Sequence, residues 1–582
     1  MSKCSTCVRS WTRPKISVLP APVKGRKTHS AGLPRPLPEW APGTGFGSGY
    51  LSLGELEIVQ IVEFQEVWRS GLGSQGAAYY EPVNIPEGYF ILGSYAQLTT
   101  QPTTGWTFAV KGSLTGENPP LTHPTDYNLM WSSIDWDYVL QDVCAYFWAP
   151  VIPPGYKSCG FLVTSSSTKP AAEDMVLVRE DLTDKCEIDQ LLWDTSELKK
   201  VSAFSTWTTK PFMIGTTRMG IPLNTVYCTS GLRAELYLPV CCLKNVNQVM
   251  SVMPTYGQLV QIMQNYGPRI YFHPNEEFLP TSPNWFFSQG ALLRSKESPN
   301  TPVRIEKDGA NLPLGGSNDG MFWLSLPTDE NKGEIVKKGH LPSAKGFVHV
   351  KPMFGGSFTD VAIWLFYGFN GPSTAKVGVV KNLALGKIGQ HVGDWEHCTL
   401  RVDNFSGEAR RIYLAAHAGG KWFRPNEIEF VAGTNRAIAY SARNTHAMYA
   451  SEGENLQGDE KVGIGIRNDT SKSEFILDTN VDYEFIAVDY QGTKAEALDA
   501  DSPQTDLFPA SPLWVDFMRE WGPKIEYDSK SEIDRVLKYL PALFRNSVVS
   551  LINKLPDELG GEEGPTGPKE KSSWLEDEKT GS

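Results

Sequence analysis

Between Gly386 and Asp403 the chain reads GKIGQHVGDWEHCTLRVD, which brings one imidazole, His391, and two carboxylates, Asp394 and Glu396, into six residues. From Asp394 the pattern alternates. In a strand, Asp394, Glu396, Cys398, Leu400 and Val402 share one face, and Trp395, His397, Thr399 and Arg401 share the other. The first face is apolar beyond Glu396. Two carboxylates at the entrance of a core-facing row are costly to desolvate unless a cation lies between them or their pKa values rise. A divalent ion is the simpler solution. Carboxylate oxygens and water suit calcium, magnesium or manganese, and one imidazole ligand tilts the choice towards manganese, zinc or a mixed-ligand magnesium site. The plain alternative is a pair of solvated acids with His391 capping a turn. Metal-bound water with Glu396 as general base would make a hydrolase. No nucleophile elbow, P-loop, HExxH or dinucleotide fingerprint accompanies the triad, so binding is expected rather than catalysis.

The elements that position this stretch fall in the second half of 582 residues, a length that argues for more than one domain. A helical connector, TYGQLVQIMQNYGP, carries Leu259, Ile262 and Met263 at helical spacing and is stopped by Gly267 and Pro268. Beyond it lie seven of the nine histidines, including His273 in YFHPNEEFLP, which reads as a solvated loop rather than a second cation site. Before it the chain repeats: YYEPVNIPEGYFILGSYAQLTTQP, from Tyr79, returns as FWAPVIPPGYKSCGFLVTSSSTKP, from Phe147. Gly93 and Gly160 keep step, as do Trp131 and Trp193, and a third, shorter copy starts at TKPFMIGTTRMG with Gly215 in the matching place. One supersecondary unit used three times closes a common core, as in a β-prism.

Formal charge is −12 with no basic stripe, which disfavours nucleic acid. No apolar run approaches the length needed to span a bilayer, so membrane contact is expected to be peripheral. Nine cysteines without even spacing read as reduced thiols, hence a cytoplasmic protein. Residues 1–45 are basic, proline-rich and without the apolar core of a secretory signal, and are expected to be a disordered arm. SKSEIDRVLKYLPALFRNSVVSLINKL reads as an amphipathic helical segment kinked at Pro541, and the acidic, Gly-rich residues 557–582 read as disordered.

The segment around His391 resembles the G-H-R-H-D-W-E heptapeptide of the necrosis-inducing cytolysins, secreted β-sandwich proteins that engage sphingolipid head groups through a bound divalent cation. The resemblance puts the first His, the Asp and the Glu on His391, Asp394 and Glu396, and the remaining aspartate near Asn370. The heptapeptide's second His is Gly393 here. It also implies strands beside Asp394 bearing His417 and His446, which with Trp395 and Asp360 become the expected head-group contacts. As a whole the chain resembles the plant family named after the vacuolar protein sorting-associated protein 62 of yeast. The resemblance rests on PLPEWAPGTGFGSGYLSLGELEIVQI, the repeats, GPRIYFHPNEEFLP, LPLGGSNDGMFWLSLP, FTDVAIWLFYGFNGP, GQHVGDWEHCTLRV, GIGIRNDT and WGPKIEYD.

The expectation is an all-β protein: a basic arm (1–45), a β-prism-like repeat domain (46–250), a helical linker (251–268), a cytolysin-like β-sandwich (269–528), a short helical segment (529–556) and an acidic tail (557–582). Its expected function is binding of membrane lipid or glycan head groups through a divalent cation (Mg, Ca or Mn). Oligomers on membranes and a toxin-like defence role would follow from the resemblance. A sorting scaffold without membrane damage and a metal-dependent hydrolase are the alternatives.

Overall fold

The computed structural model describes residues 26–27, 32–40, 46–70, 76–99, 105–135, 144–198, 201–247, 252–377, 381–384, 389–417, 419–459, 464–490, 508–524, 538 and 564–580. The expected helical segment 529–556 lies outside them apart from Lys538. The chain is built of β-sheets joined by a few short helices.

The first half is organised by three antiparallel hairpins. They are β1 (Glu63–Arg69) with β2 (Ala77–Pro82), β3 (Asp126–Ser132) with β4 (Tyr146–Val151), and β5 (Thr183–Asp194) with β6 (Ser205–Pro211). In each the register slips immediately before a tryptophan, at Trp68, Trp131 and Trp193. Such a bulge kinks the strand and re-aims the following side chain. The three indoles consequently meet, with ring centroids 6.3, 5.5 and 5.7 Å apart. Two residues after each indole, Ser70, Ser133 and Thr195 accept through their side-chain oxygens from the backbone of Ala77, Ala145 and Phe204 and close the hairpin. A ring of backbone bonds ties the copies together: Ser94 N–H to the Phe161 carbonyl at 2.9 Å, Phe161 N–H to Val226 at 3.0 Å, and Val226 N–H to Ser94 at 2.9 Å. The position matching Gly93 and Gly160 is therefore Thr225, not Gly215. Glycine spacing misplaced it because the third copy carries a side chain there.

Helix α1 (Tyr256–Tyr266) opens the second half, with Thr255 and Gln258 capping its first turn and Leu259, Ile262, Met263 and Tyr266 buried. It is followed by β7 (Arg269–Phe272), α2 (Pro283–Ser288) and α3 (Glu330–Lys338). The long strands come next: β8 (Gly346–Met353), β9 (Phe358–Asn370), β10 (His391–Asp403), β11 (Ala409–Ala416), β12 (Gly419–Phe423), β13 (Ile438–Ser441), β14 (Ile476–Asp478) and β15 (Tyr483–Val488). The main sheet runs β12-β11-β10-β9-β8-β15, and Pro280–Thr281 adds a seventh strand beside β9. Every residue of β9 is buried, because the sheet is covered on both faces. One face, with Val361, Ile363, Leu365, Tyr367, Cys398, Leu400 and Val402, packs on α1 and on β7 and β13 of a smaller sheet. The other, with Trp364, Phe366 and Trp395, packs on α2 and on Trp514, Trp521 and Trp574.

The described stretches of both terminal segments depart from the disorder expected there. Arg26–Lys27 pairs with β1, and Leu33 and Trp40 sit in the core beside Tyr266. At the other end, residues 564–580 lie against the main sheet: the Trp574 ring stacks on His349 at 3.6 Å, and Lys351 Nζ donates to the Ser573 carbonyl at 2.7 Å. Composition misjudged this segment because its acids are matched by cations buried in the sheet. The halves share a core in which Ile58 and Phe108 join Met353, Phe354 and Phe358, and Gln60 Nε2 donates to Asp403 at 2.6 Å.

Candidate functional site

The ladder between β9 and β10 places Asn370 opposite His391, Tyr367 opposite Asp394 and Leu365 opposite Glu396. Side chains opposite one another share a face, so Asp394 and Glu396 both stand on the core side with Cys398, Leu400 and Val402. Each is only 8% exposed. Asp394 Oδ2 lies 2.9 Å from Nδ1 of His446, whose Nε2 lies 3.1 Å from the Phe278 carbonyl. The imidazole stacks on Tyr367 at 3.7 Å, the planes within 6°. His446 takes a positive φ of 57° in a turn closed by its N–H on the Ala442 carbonyl. Burial pushes the Asp394 carboxyl up, but the hydrogen bond from His446 and the charges of His391, His446 and Lys571 outweigh it and hold the group below its ordinary value. A carbonyl only accepts, so Nε2 carries a proton. Facing a carboxylate, Nδ1 donates as well.

His391 is buried too, with Nδ1 2.7 Å from the Gly393 carbonyl. A carbonyl only accepts, so that contact puts a ring proton on Nδ1. The glycine at 393 has a physical reason: its φ is +71°, and a Cβ there would stand 2.5 Å from the Trp521 carbonyl oxygen. Asn370 donates its amide to the Gly389 and Gly371 carbonyls at 2.5 and 3.3 Å and holds the end of β9 to the entry of β10.

Glu396 borders a cavity of about 350 Å³ that is also lined by His417, Lys571, Lys579 and Ser572. His417 Nε2 is 3.3 Å from Asn468 Oδ1. Among the described residues, no three His, Cys, Asp or Glu side chains converge as a set that could hold a metal ion. Asp394 already has the His446 imidazole on one oxygen, and the Asn370 amide is spent on backbone. The residues present do not by themselves make a cation cage.

Two expected contacts lie elsewhere. Trp395, one residue out of step with its neighbours, points to the opposite face and is buried against Phe366, Trp514 and Trp521. Asp360 is fully buried and takes both ends of the Arg401 guanidinium at 2.8 and 2.7 Å. Burial raises its pKa against the pull of Arg401. It pairs seven residues along β10 from Asp394, roughly 23 Å at about 3.3 Å per residue.

A polar cluster was not anticipated. Glu578 accepts from Thr399 Oγ1 at 2.6 Å and from His397 Nε2 at 2.8 Å, with Lys351 Nζ at 3.4 Å, all buried. Burial acts to raise the Glu578 pKa, but the charges of Lys351 and His397 and these hydrogen bonds hold it well below the usual range. The signal for it was the row His397, Thr399 and Arg401, too polar for a strand face turned into a core.

Fold and site together define an all-β protein: a threefold repeat unit packed on a large sheet whose edge carries a buried Asp–His pair beside a polar recess. The chain belongs to the vacuolar protein sorting-associated protein 62 family, whose model matches residues 27–578. It is 28% identical over 229 residues to vacuolar protein sorting-associated protein 62 of Saccharomyces cerevisiae, covering 36% of this chain and 45% of that protein. It is 29% identical over 253 residues to the putative vacuolar protein sorting-associated protein TDA6 of the same yeast, covering 37% and 52%. The chain thus spans about half the length of these curated relatives. Among solved structures, GNIP1Aa from Chromobacterium piscinae matches at 15% identity and a TM-score of 0.27, over 33% of this chain and 38% of that one. A structure titled "Toxin fold for microbial attack and plant defense" matches at 10% identity and a TM-score of 0.19, over 48% and 89%. Neither is near enough to say what this chain does.

Proposed function

We propose that this protein binds a hydroxyl-rich or zwitterionic head group of a membrane lipid or glycan in the recess beside Glu396, without turning it over. The observation that carries this reading is the recess itself: about 350 Å³ whose lining brings Glu396, Lys571 and Lys579 to one cavity. A polyol or zwitterion meets acceptor and donor there together, and orientation by a few placed polar groups is how small-ligand sites select. Among the described residues no helix is long and apolar enough to cross a membrane, so the attachment proposed is peripheral.

A divalent cation (Mg, Ca or Mn) bridging protein and head group is the second reading. It is favoured by Asp394 and Glu396 sharing a face of the strand that His391 opens. With no three-ligand set of the protein's own, such an ion would need the head group's oxygens to complete its shell. The test is binding to a glycan array and to vesicles of plasma-membrane lipids, with and without chelator. Glu396→Gln is expected to lose binding while remaining folded. Unchanged binding by that variant would sink the recess. Turnover of ester or phosphoester substrates that disappears in Glu396→Gln would instead favour a hydrolase. Dye release from vesicles would place the protein among membrane-damaging toxins. Capture of sorting machinery with no head-group binding would favour the trafficking role that the family's name carries.

A further inference from the structure

The cleft between the two halves gathers three guanidinium groups around one cavity. A cavity of about 170 Å³ there is lined by Arg410, Arg411 and Arg424 from the sheet side and by Gln97, Asp189 and Asn224 from the repeat side. Arg410 is neutralised, 3.0 Å from Asp403 and 2.9 Å from Glu408. Arg411, next to it on β11, stands directly across the ladder from Arg401. Like charges set opposite one another destabilise a sheet. Arg401 binds Asp360 and Asp577, at 2.7 and 2.6 Å, and Asp577 also acts on Arg411. Among the described residues neither Arg411 nor Arg424 forms an ion pair, which leaves Asp189 as the carboxylate of the cavity wall. Asp189 is the unpaired residue where β5 slips register against β6, which turns it out of the ladder. Burial and the charges of Arg401 and Arg424 push the Arg411 guanidinium down and outweigh the pull of Asp189 and Asp577, although its side chain is exposed in the cleft.

We infer that this cleft is a binding site for a tetrahedral oxyanion, a phosphate or sulfate group, held between the Arg411 and Arg424 guanidiniums. Planar forks of N–H donors match such oxygens, and two of them on one cavity wall, Arg411 from β11 and Arg424 just beyond β12, make a site where one would make only a surface charge. Its volume exceeds the share of several waters at about 30 Å³ each, enough for a phosphate group with part of its carrier. The walls come from both halves, which are fixed against one another by a common core, so the cleft is already formed. This site is separate from the recess beside Glu396 and does not depend on it.

The experiment uses the full chain and inorganic phosphate, with chloride at matched ionic strength as reference. Calorimetry and thermal melts are compared for the wild type, Arg411→Gln, Arg424→Gln and the surface control Lys332→Gln. Phosphate is expected to bind and raise the wild-type and control melting points, and affinity is expected to fall about tenfold or more in each arginine variant, the loss of one charged hydrogen-bonding partner. In chloride alone, Arg411→Gln is expected to melt no lower than the wild type, since it relieves repulsion with Arg401. Vesicles of phosphatidylcholine with and without a phosphoinositide form the second arm. Sedimentation with the phosphoinositide vesicles that is lost in Arg424→Gln would assign the phosphate to a lipid, and binding of free phosphate alone to a soluble carrier. Absence of binding in both arms, or equal binding by wild type and both arginine variants, would overturn the proposal.

Discussion

His446 and Asp394 meet at 2.9 Å although 52 residues separate them, and the same imidazole reaches the Phe278 carbonyl with its other nitrogen. The carboxylate expected to require a metal ion is thus met by the protein's own imidazole, stacked on the Tyr367 ring. Asp394 becomes part of the frame, and Glu396, two residues further on, borders the recess.

That division of labour predicts opposite phenotypes. Asp394→Asn keeps the shape but loses a charge-assisted bond at a buried site, and is expected to cost roughly 1.5–3 kcal/mol of stability in urea unfolding. Glu396→Gln is expected to cost less than about 1 kcal/mol while abolishing head-group binding. If both variants unfold alike and bind alike, the two carboxylates do one job.

Glu578 should make stability depend on pH. Its folded-state pKa is depressed, so the folded protein binds fewer protons there than the unfolded chain as the carboxyl titrates. The stabilisation is fully present above the ordinary carboxylate range and is lost as pH falls through the depressed folded value. Glu578→Gln, which leaves Lys351 buried without its counter-charge, is expected to cost about 3–5 kcal/mol near neutral pH. The gap between wild type and variant should narrow as unfolding is measured at progressively more acid pH. A gap that is constant with pH would mean that the contact is only packing.

Much of the site's frame is legible in the chain. The alternation from Asp394 to Val402 fixes which residues share a face, and β10 follows it. Trp395 illustrates the limit: its identity suggested a lipid contact, yet the same alternation had already assigned it to the other face. Partners distant in sequence were hidden. Nothing near His446 names Asp394, and nothing in an acidic, glycine-rich tail reveals that Glu578 fits between Lys351 and His397. Charge shows in composition; burial does not.

Gly393 offers a test of why this chain departs from the heptapeptide it resembles. A side chain there must adopt a left-handed conformation, costing about 1–2 kcal/mol, and must push against the Trp521 carbonyl. Gly393→Ala is expected to lose about 2–4 kcal/mol in denaturant unfolding once overpacking is added. A neutral result would place the Trp521 backbone further from β10 than the structure does.

The threefold reading of the first half rests on Gly160 and Thr225 occupying neighbouring copies of one position. A Cβ at Gly160 would stand 2.5 Å from Thr225 Cβ, while Gly93 approaches Gly160 with backbone alone. Gly160→Ala is expected to cost about 2–3 kcal/mol, the price of overpacking against a rigid neighbour. Thr225→Gly frees that space but gives up the Thr225 hydroxyl's bond to the Cys159 carbonyl and adds backbone freedom, about 1–2 kcal/mol. Because the two changes act on one contact, the double variant should lose less than the sum by more than about 1 kcal/mol, as coupled neighbours do. Strict additivity would mean that the copies do not close on each other at this ring, and the third repeat would then have to begin elsewhere.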